Sequence, residues 1–287
     1  MKKLLIEELS MSLLRKRFAV KNFSRGCFDI FARREDVILL IKVLEDANAI
    51  SERYSRELEK VASYMGATPI VVARKAGSLL EDNIVYTRYG IYTLNSDTFT
   101  AALENQLPFV KKSNAGITAT IVGQKIRERR EEMGLSQNEL SRRIGISGRM
   151  VGNYEKGLQE VTISKAFKIY DVFGGSVFKR IDVFHPRQIS IKSGTSMYSK
   201  KFNELGFQAT DTKDVPFDII AKMDKEIILT ELGDKMKPGF ESLSRLMEAD
   251  KLVIFKKKRP KDIPSMKKEE FMEIRQAKEL IKRIKES

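Results

Sequence analysis

Side chains able to run covalent or metal chemistry are scarce in this sequence. Cys27 and His185 are its only cysteine and histidine. A structural zinc is held by about four ligands, mostly Cys and His, so a Cys/His zinc site within one chain is excluded. A Ser or Cys nucleophile paired with a histidine base would have to rely on His185 alone. Cys27, next to Phe28, reads as a small core residue rather than a nucleophile. No glycine-rich loop is placed to cradle a nucleotide phosphate. Positive charge, by contrast, is abundant: 53 Lys and Arg face 39 Asp and Glu, a net charge of +14, with an isoelectric point near 9.6. Such a balance suits a polyanionic partner, nucleic acid first and an acidic membrane second. Its densest run is Lys256-Lys257-Lys258-Arg259, followed by Lys261. Residues 251–287 carry 13 basic and 6 acidic side chains, a net of +7 that is half the total. This segment either adds phosphate contacts or forms a solvated edge, where lysine also blocks strand pairing.

The 287 residues are enough for two or three domains. No apolar run approaches the ~18–20 residues that cross a bilayer. The opening MKKLLIEELSMSLL has the lysines of an export signal, but Glu7 and Glu8 interrupt it, so an amphipathic helix is expected. With no export signal and one cysteine, a cytoplasmic, disulfide-free chain is expected. Helical periodicity over 2–17 and 50–65 alternates with the strand-like runs AVKNF, FDIFARRE, VILLIKVL, PIVVARKA, NIVYTRYG and IYTLN. KKSNAG, at 111–116, reads as a linker. From Thr118 to about Gly175 the strand signal disappears and four short helical segments follow one another. The α/β alternation resumes after His185-Pro186, and the tail from about Pro264 reads as one long basic helix. The two α/β regions look duplicated: Phe28-Asp29-Ile30 and Phe217-Asp218-Ile219 are each followed by Ala, mixed charges, an apolar strand and an acidic residue.

Residues 135–157 bear signals that agree with one another. Ser136 can cap a helix with Glu139 as its capping-box partner. Leu140 and Ile144 share one face. Gly145 suits a left-handed helix end, and Ile146 buries under the turn. Ser147 can cap the next helix, whose Val151 and Tyr154 face inward before Gly157 ends it. Two helices crossing steeply over a short turn need a small residue at their contact, and Ser141 supplies it. The run GLSQNELSRRIGIS…VGNYEKG resembles the Cro/cI (Xre-type) helix-turn-helix family, which covers residues ~120–175 as a five-helix domain. Ser141 stands for the family's usual Ala and Tyr154 for its commoner Trp. Gly148 and Gly152 stand inside the second helix, where the family carries polar side chains. Each glycine costs ~1 kcal/mol against alanine and offers no side chain to a base. The resemblance implies that Gln137 bonds a phosphate and braces the recognition helix, which Ser147 begins, and that Arg149, Met150 and Asn153 face the major groove. Arg149 is the candidate for a guanine contact and Met150 for a thymine methyl. Asn153 and Lys156 would hold phosphate, and Arg142, Arg143 and Lys125 are either phosphate contacts or solvated. One motif per chain implies a homodimer on two half-sites.

The flanking regions resemble the restriction-endonuclease/Holliday-junction-resolvase core. That family uses an Asp and a Glu-x-Lys on the next strand to hold a divalent metal and steady the attacking water. Here the first copy has Asp29 but Lys42 at the Glu position and Leu44 at the Lys position. The second has Asp218 and Glu231 but Gly233 at the Lys position. Two inactive nuclease-like folds, kept for dimerisation or for holding DNA backbone, are therefore expected. The whole arrangement is similar to the archaeal proteins named "putative HTH-type transcriptional regulatory protein". The expectation is a mixed fold: a central all-α, lambda-repressor-like domain (116–180) between two small α/β domains (1–115 and 181–287). Its function would be sequence-specific binding of double-stranded DNA as a homodimeric transcriptional regulator. No catalytic residue, metal, cofactor or membrane partner is expected, and an effector is left open. The alternative is a metal-dependent DNA endonuclease or resolvase-like enzyme targeted by the helix-turn-helix.

Overall fold

The computed structural model describes residues 2–113, 116–185 and 193–286. From the start the chain forms α1 (Lys2–Arg15), β1 (Ala19–Asn22), β2 (Ile30–Arg34), β3 (Val37–Asp46), α2 (Glu52–Met65) and β4 (Thr68–Ala76). Next come β5 (Ser78–Leu79), β6 (Ile84–Arg88), β7 (Ile91–Leu94), α3 (Ser96–Leu103), β8 (Val110–Ser113) and β9 (Gly116–Val122). The helical stretch is α4 (Gly123–Glu132), α5 (Gln137–Ile144), α6 (Gly148–Tyr154), β10 (Leu158–Thr162) and α7 (Ile163–Phe173). The last part is α8 (Met197–Glu204), β11 (Gln208–Asp211), β12 (Ile219–Met223), β13 (Glu226–Leu232), α9 (Phe240–Met247), β14 (Asp250–Phe255), β15 (Ser265–Lys267), α10 (Lys268–Glu273) and α11 (Ala277–Lys285). Two compact units result, Met1–Val72 with Phe184–Ser287, and Ala73–Val183. Among the described residues no helix is long and apolar enough to cross a membrane.

The first unit contains the duplication. Strands β1, β2 and β3 pair antiparallel, with Asn22 opposite Ile30 and Ile30 opposite Ile41. Strands β11, β12 and β13 repeat that register residue for residue: Asp211 lies opposite Ile219 and Ile219 opposite Thr230. In both copies a helix precedes the meander and another follows it. The apolar runs are buried on both sides: Ile30, Phe31, Leu39, Leu40 and Ile41 are fully buried, as are Ile219, Ile220, Ile228 and Leu229. A strand covered on both faces carries a continuous apolar run rather than an alternating one. Helix α1 offers Leu5, Leu9 and Leu13, one stripe at i, i+4, i+8, to this core.

The two copies also pack on each other. Helix α2 lies against β12, and α9 against β1 and β2. Arg33 donates to the Leu246 carbonyl at 3.0 Å and to Glu248 at 2.9 Å. Lys60 donates to the Asp211 carbonyl at 2.7 Å, and the Lys213 N–H to Glu57 at 2.6 Å. The Cys27 N–H donates to the Asp214 carbonyl at 2.7 Å. The two copies of the duplication thus pack on each other within one chain.

In the second unit the strand order is β7-β6-β8-β9-β10. Three expectations about secondary structure change. Lys111, Lys112 and Ser113 are not a linker but part of β8, paired antiparallel with β9. The helical stretch is not all-α: β9 leads into α4, β10 follows α6, and the two pair from Leu158–Val122 to Thr162–Thr118. Thr118, Thr120, Ile121, Val122 and Val161 are β-branched, which suits a half-covered ribbon. Within it the described residues form four α-helices and a 3-10 turn at Gly174–Val177 rather than five helices. In the first unit, likewise, the basic tail is not one helix. Strand β15 starts it, and the chain extends between α10 and α11, with Ile274 at φ −61° and ψ 132°. Phe271, Ile274, Leu280 and Ile284 can then all enter the second copy's core, which one straight helix would not allow.

The ribbon closes on the helices at Gly123, whose N–H donates to the Gly157 carbonyl at 2.9 Å. A Cβ at Gly123 would run into the Tyr154 carbonyl oxygen and stand 2.7 Å from that of Gly157. These are backbone atoms and cannot step aside. Gly123→Ala is expected to destabilise this unit by about 1–3 kcal/mol, seen as a lower melting temperature in thermal denaturation.

Candidate nucleic-acid interface

Local hydrogen bonds set the helix pair α5–α6. Ser136 accepts from the Glu139 N–H at 3.2 Å, and Glu139 accepts from the Ser136 N–H at 2.8 Å, a complete capping box. These bonds from Ser136, with the nearby Arg142 and Arg143 charges, hold the Glu139 carboxyl below the usual carboxylate range. Gly145 ends α5 at φ 66° and ψ 46°, the left-handed region that glycine enters without strain. Ser147 then caps α6 by accepting from the Met150 N–H at 3.3 Å. Leu140, Ile144, Val151 and Tyr154 are buried with Ile126, Ala166 and Ile169 in one cluster. Ser141 is buried at the helix contact and turns its hydroxyl to the Asn138 carbonyl, 2.8 Å away.

Beneath this surface lies a buried charge network that sequence reasoning missed. Arg130, its side chain 11% exposed, donates to Glu155, whose side chain is 0% exposed, at 2.6 and 3.3 Å. It also donates to the Leu135 carbonyl at 2.8 Å. Gln137 donates from Nε2 to Glu155 at 2.9 Å, and Arg127 stands 3.6 Å from it. Burial opposes ionisation of Glu155. The hydrogen bonds from Arg130 and Gln137 and the two arginine charges outweigh it and hold the carboxyl below the usual range. The network ties α4, α5 and the end of α6 together. Its only sequence signal was Glu155 in the Tyr-Glu-Lys-Gly ending, 25 residues from Arg130.

Against this scaffold the expected contact residues separate. Arg142, Arg143, Arg149, Asn153 and Lys156 are exposed, and their side chains make no ion pair or hydrogen bond within the described residues. Gln137 is exposed but its amide nitrogen serves Glu155. Ser147 is exposed and acts as a cap. Met150 is half-buried and packs against the core, so less of it than expected is open to a base. Gly148 and Gly152, one turn apart, face α5: Cβ atoms there would stand 2.7 Å from Asn138 Oδ1 and 3.7 Å from Gln137 Oε1. They are packing positions beside two polar side chains rather than mere gaps.

Outside this unit, Lys256, Lys257, Lys258 and Arg259 are exposed. The N–H groups of Lys256 and Lys257 converge on Asp234 Oδ1 at 2.7 and 3.0 Å, which fixes the loop.

The nuclease-like positions superpose in their hydrogen bonding. Val43 N–H donates to Asp29 at 2.8 Å, and Leu232 N–H donates to Asp218 at 2.8 Å. Lys42 and Glu231 are therefore equivalent positions. In the first copy Asp29 is buried and holds Lys2 at 2.9 Å and Lys42 at 3.5 Å, while Lys42 also donates to the Gly26 carbonyl at 2.7 Å. Burial lowers the Lys42 pKa and the Asp29 charge opposes it. Two ammonium groups occupy the place a divalent metal would need, so a metal does not fit. In the second copy Lys237, four residues beyond Gly233, sets its ammonium 2.6 Å from Asp218, and its N–H donates to Glu231. Burial pushes the Glu231 carboxyl up to about 7, with the Asp218 charge adding to the rise. Both Asp218 oxygens and one of Glu231 thus already accept hydrogen bonds; Glu231 Oε2 is buried without a partner. A metal fits poorly here too. Among the described residues no cluster of three or more His, Cys, Asp or Glu could hold one.

A PD-(D/E)XK superfamily domain matches residues 2–108, and a helix-turn-helix matches residues 126–178. A protein of Methanocaldococcus jannaschii named "Putative HTH-type transcriptional regulatory protein" is 31% identical over 99% of this chain and 97% of its own length. One of Archaeoglobus fulgidus with the same name is 30% identical over 98% of this chain and 97% of its own. One of Pyrococcus horikoshii is 31% identical over 92% and 90%. With such identity along nearly its whole length, and with the helix-turn-helix and the nuclease-like fold both in place, the chain belongs to this archaeal family of HTH-type transcriptional regulatory proteins.

Proposed function

We propose that the chain is a sequence-specific regulator that binds double-stranded DNA as a homodimer in the cytoplasm, without catalysis and without a metal. The observation that carries this reading is a set of exposed, unpaired cations, Arg142, Arg143, Arg149 and Lys156, on a helix pair braced from beneath by a buried ion network. Other surface cations, Arg53, Arg56, Arg129, Arg283 and Lys285 among them, sit in ion pairs. Unpaired cations on a rigid surface suit phosphate neutralisation with release of counterions. In this reading residues 1–115 and 181–287 are inactive nuclease-like parts around a DNA-binding part at 116–180, and Lys256 to Lys261 add backbone contacts. One motif per chain calls for a second copy to read a two-fold site. Titration of a labelled duplex at two salt concentrations tests it. Affinity should fall about 10³-fold or more between 50 and 200 mM salt if six or more phosphates are neutralised. Binding that ignores salt would sink the reading.

One observation favours nuclease activity as a second reading: Asp218, Glu231 and Lys237 stand together and Glu231 Oε2 is free. Incubation of plasmid with the protein and Mg²⁺ or Mn²⁺ decides between them. The plasmid is expected to stay intact. Cleavage that disappears in the Asp218→Ala/Glu231→Ala variant would replace the first reading with the second.

A further inference from the structure

Helix α6 begins with Gly148, at the end of a recognition helix that normally reaches base edges. The space its side chain would fill is not empty. Asn138, on α5, places Oδ1 2.7 Å from where a Gly148 Cβ would stand, closer than a real Cβ tolerates. Asn138 is exposed, and its carboxamide makes no hydrogen bond to any described residue. Its neighbours are already committed: Gln137 to Glu155, Glu139 to the capping box, and Ser141 to the Asn138 carbonyl. A free carboxamide seated over a glycine-cleared spot has a donor and an acceptor side by side.

We propose that Asn138 is a specificity-determining residue that reads an adenine edge from α5, through the position that Gly148 leaves open. The proposal rests on the DNA-binding reading above and extends it. A carboxamide pairs with adenine N6 and N7 in the major groove, whereas a phosphate contact would carry no sequence preference. Gly148 is then not a lost contact but the condition for one: it admits a side chain from the neighbouring helix. The same geometry couples the two residues, because any Cβ at 148 displaces the Asn138 amide.

The test is selection of bound duplex from a random pool with the full chain, for wild type, Asn138→Ala, Gly148→Ala and the double variant, with affinity measured at two salt concentrations. Circular dichroism melts check that each variant folds. Asn138→Ala is expected to lose adenine preference at one position per half-site, by about ten-fold or more, with other positions and the salt slope unchanged. Gly148→Ala should lose preference at that same position, and the double variant should be no worse than Asn138→Ala. A salt slope reduced by about one with an unchanged sequence profile would make Asn138 a phosphate contact and overturn the proposal. Profiles and slopes identical to wild type would also overturn it. A wild type that enriches no sequence overturns the DNA-reading function itself, and this proposal with it.

Discussion

Glu155→Ala is expected to cost the helix-turn-helix unit about 3–5 kcal/mol, the penalty for stranding the partner of a buried ion pair. Arg130 would keep its bond to the Leu135 carbonyl but lose both bonds to carboxylate at 2.6 and 3.3 Å. Its side chain is only 11% exposed, so water could not replace them. Gln137 would lose its acceptor too, loosening the start of α5 beside the recognition helix. A loss of that size is a large share of the roughly 5–15 kcal/mol that holds a domain folded. Chemical denaturation followed by circular dichroism should show an early transition that wild type lacks. Glu155→Gln, which keeps an acceptor but not the charge, should fall between the two.

The same group ties stability to pH. Because folding lowers the Glu155 pKa below its usual value of 4.5, the stabilisation is complete above that value. It is lost as the pH falls further, through the lower folded pKa. Wild type should therefore lose stability on acidification below about pH 4.5, and Glu155→Gln should lose less of it over the same range. Parallel acid limbs in the two proteins would remove Glu155 from the account.

Arg149→Ala should do the reverse: leave stability unchanged and damage recognition. The side chain is exposed and bonds to nothing in the described residues, so its removal strands no partner. A bidentate arginine–guanine contact contributes about 1–3 kcal/mol of discrimination. Competition between a selected duplex and the same duplex with one guanine replaced should therefore show wild type discriminating and the variant not. An unchanged melting temperature with lost discrimination separates this residue from Glu155, whose variants should lose both. Discrimination untouched by the substitution would mean that α6 is not the reading helix.

What could be read from the sequence follows the range of the interactions. The capping box at Ser136 and Glu139, the left-handed turn at Gly145 and the cap at Ser147 are bonds between residues a few positions apart, and each stood where the pattern placed it. The duplicated meander was legible for a related reason. The same ungapped order of Phe-Asp-Ile, Ala, mixed charges and an apolar strand recurs in both copies, so Asp29 and Asp218 fell in register. What was illegible depends on residues far apart. Arg130 meets Glu155 across 25 positions, and neither residue type announces its burial. Strand β10 hides because its five residues form a strand only where β9 lies beside them. Lys237 stands outside the Glu-x-Lys spacing and reaches Asp218 only because the chain bends back after Gly233. Gly148 and Gly152 looked like missing side chains in the sequence; in space they are the room that Asn138 and Gln137 use. The tail reads as one helix until the core's demand for Ile274 breaks it.

The two copies of the meander pack on each other within one chain. Arg33 with Glu248, and Lys60 with the Asp211 carbonyl, join the copies without a second chain. Lys2 and Lys42 pair with Asp29, and Lys237 pairs with Asp218. In the first copy Lys42 stands where the second has Glu231, and it pairs with Asp29 at 3.5 Å.

The most direct test of the central claim is recovery of DNA bound by the full chain from a pool of random duplexes. The account predicts enrichment of two inverted half-sites about one helical turn apart, each with a guanine that depends on Arg149. A pool that comes back random, or enriched sequences that Arg149→Ala recovers equally well, would contradict it.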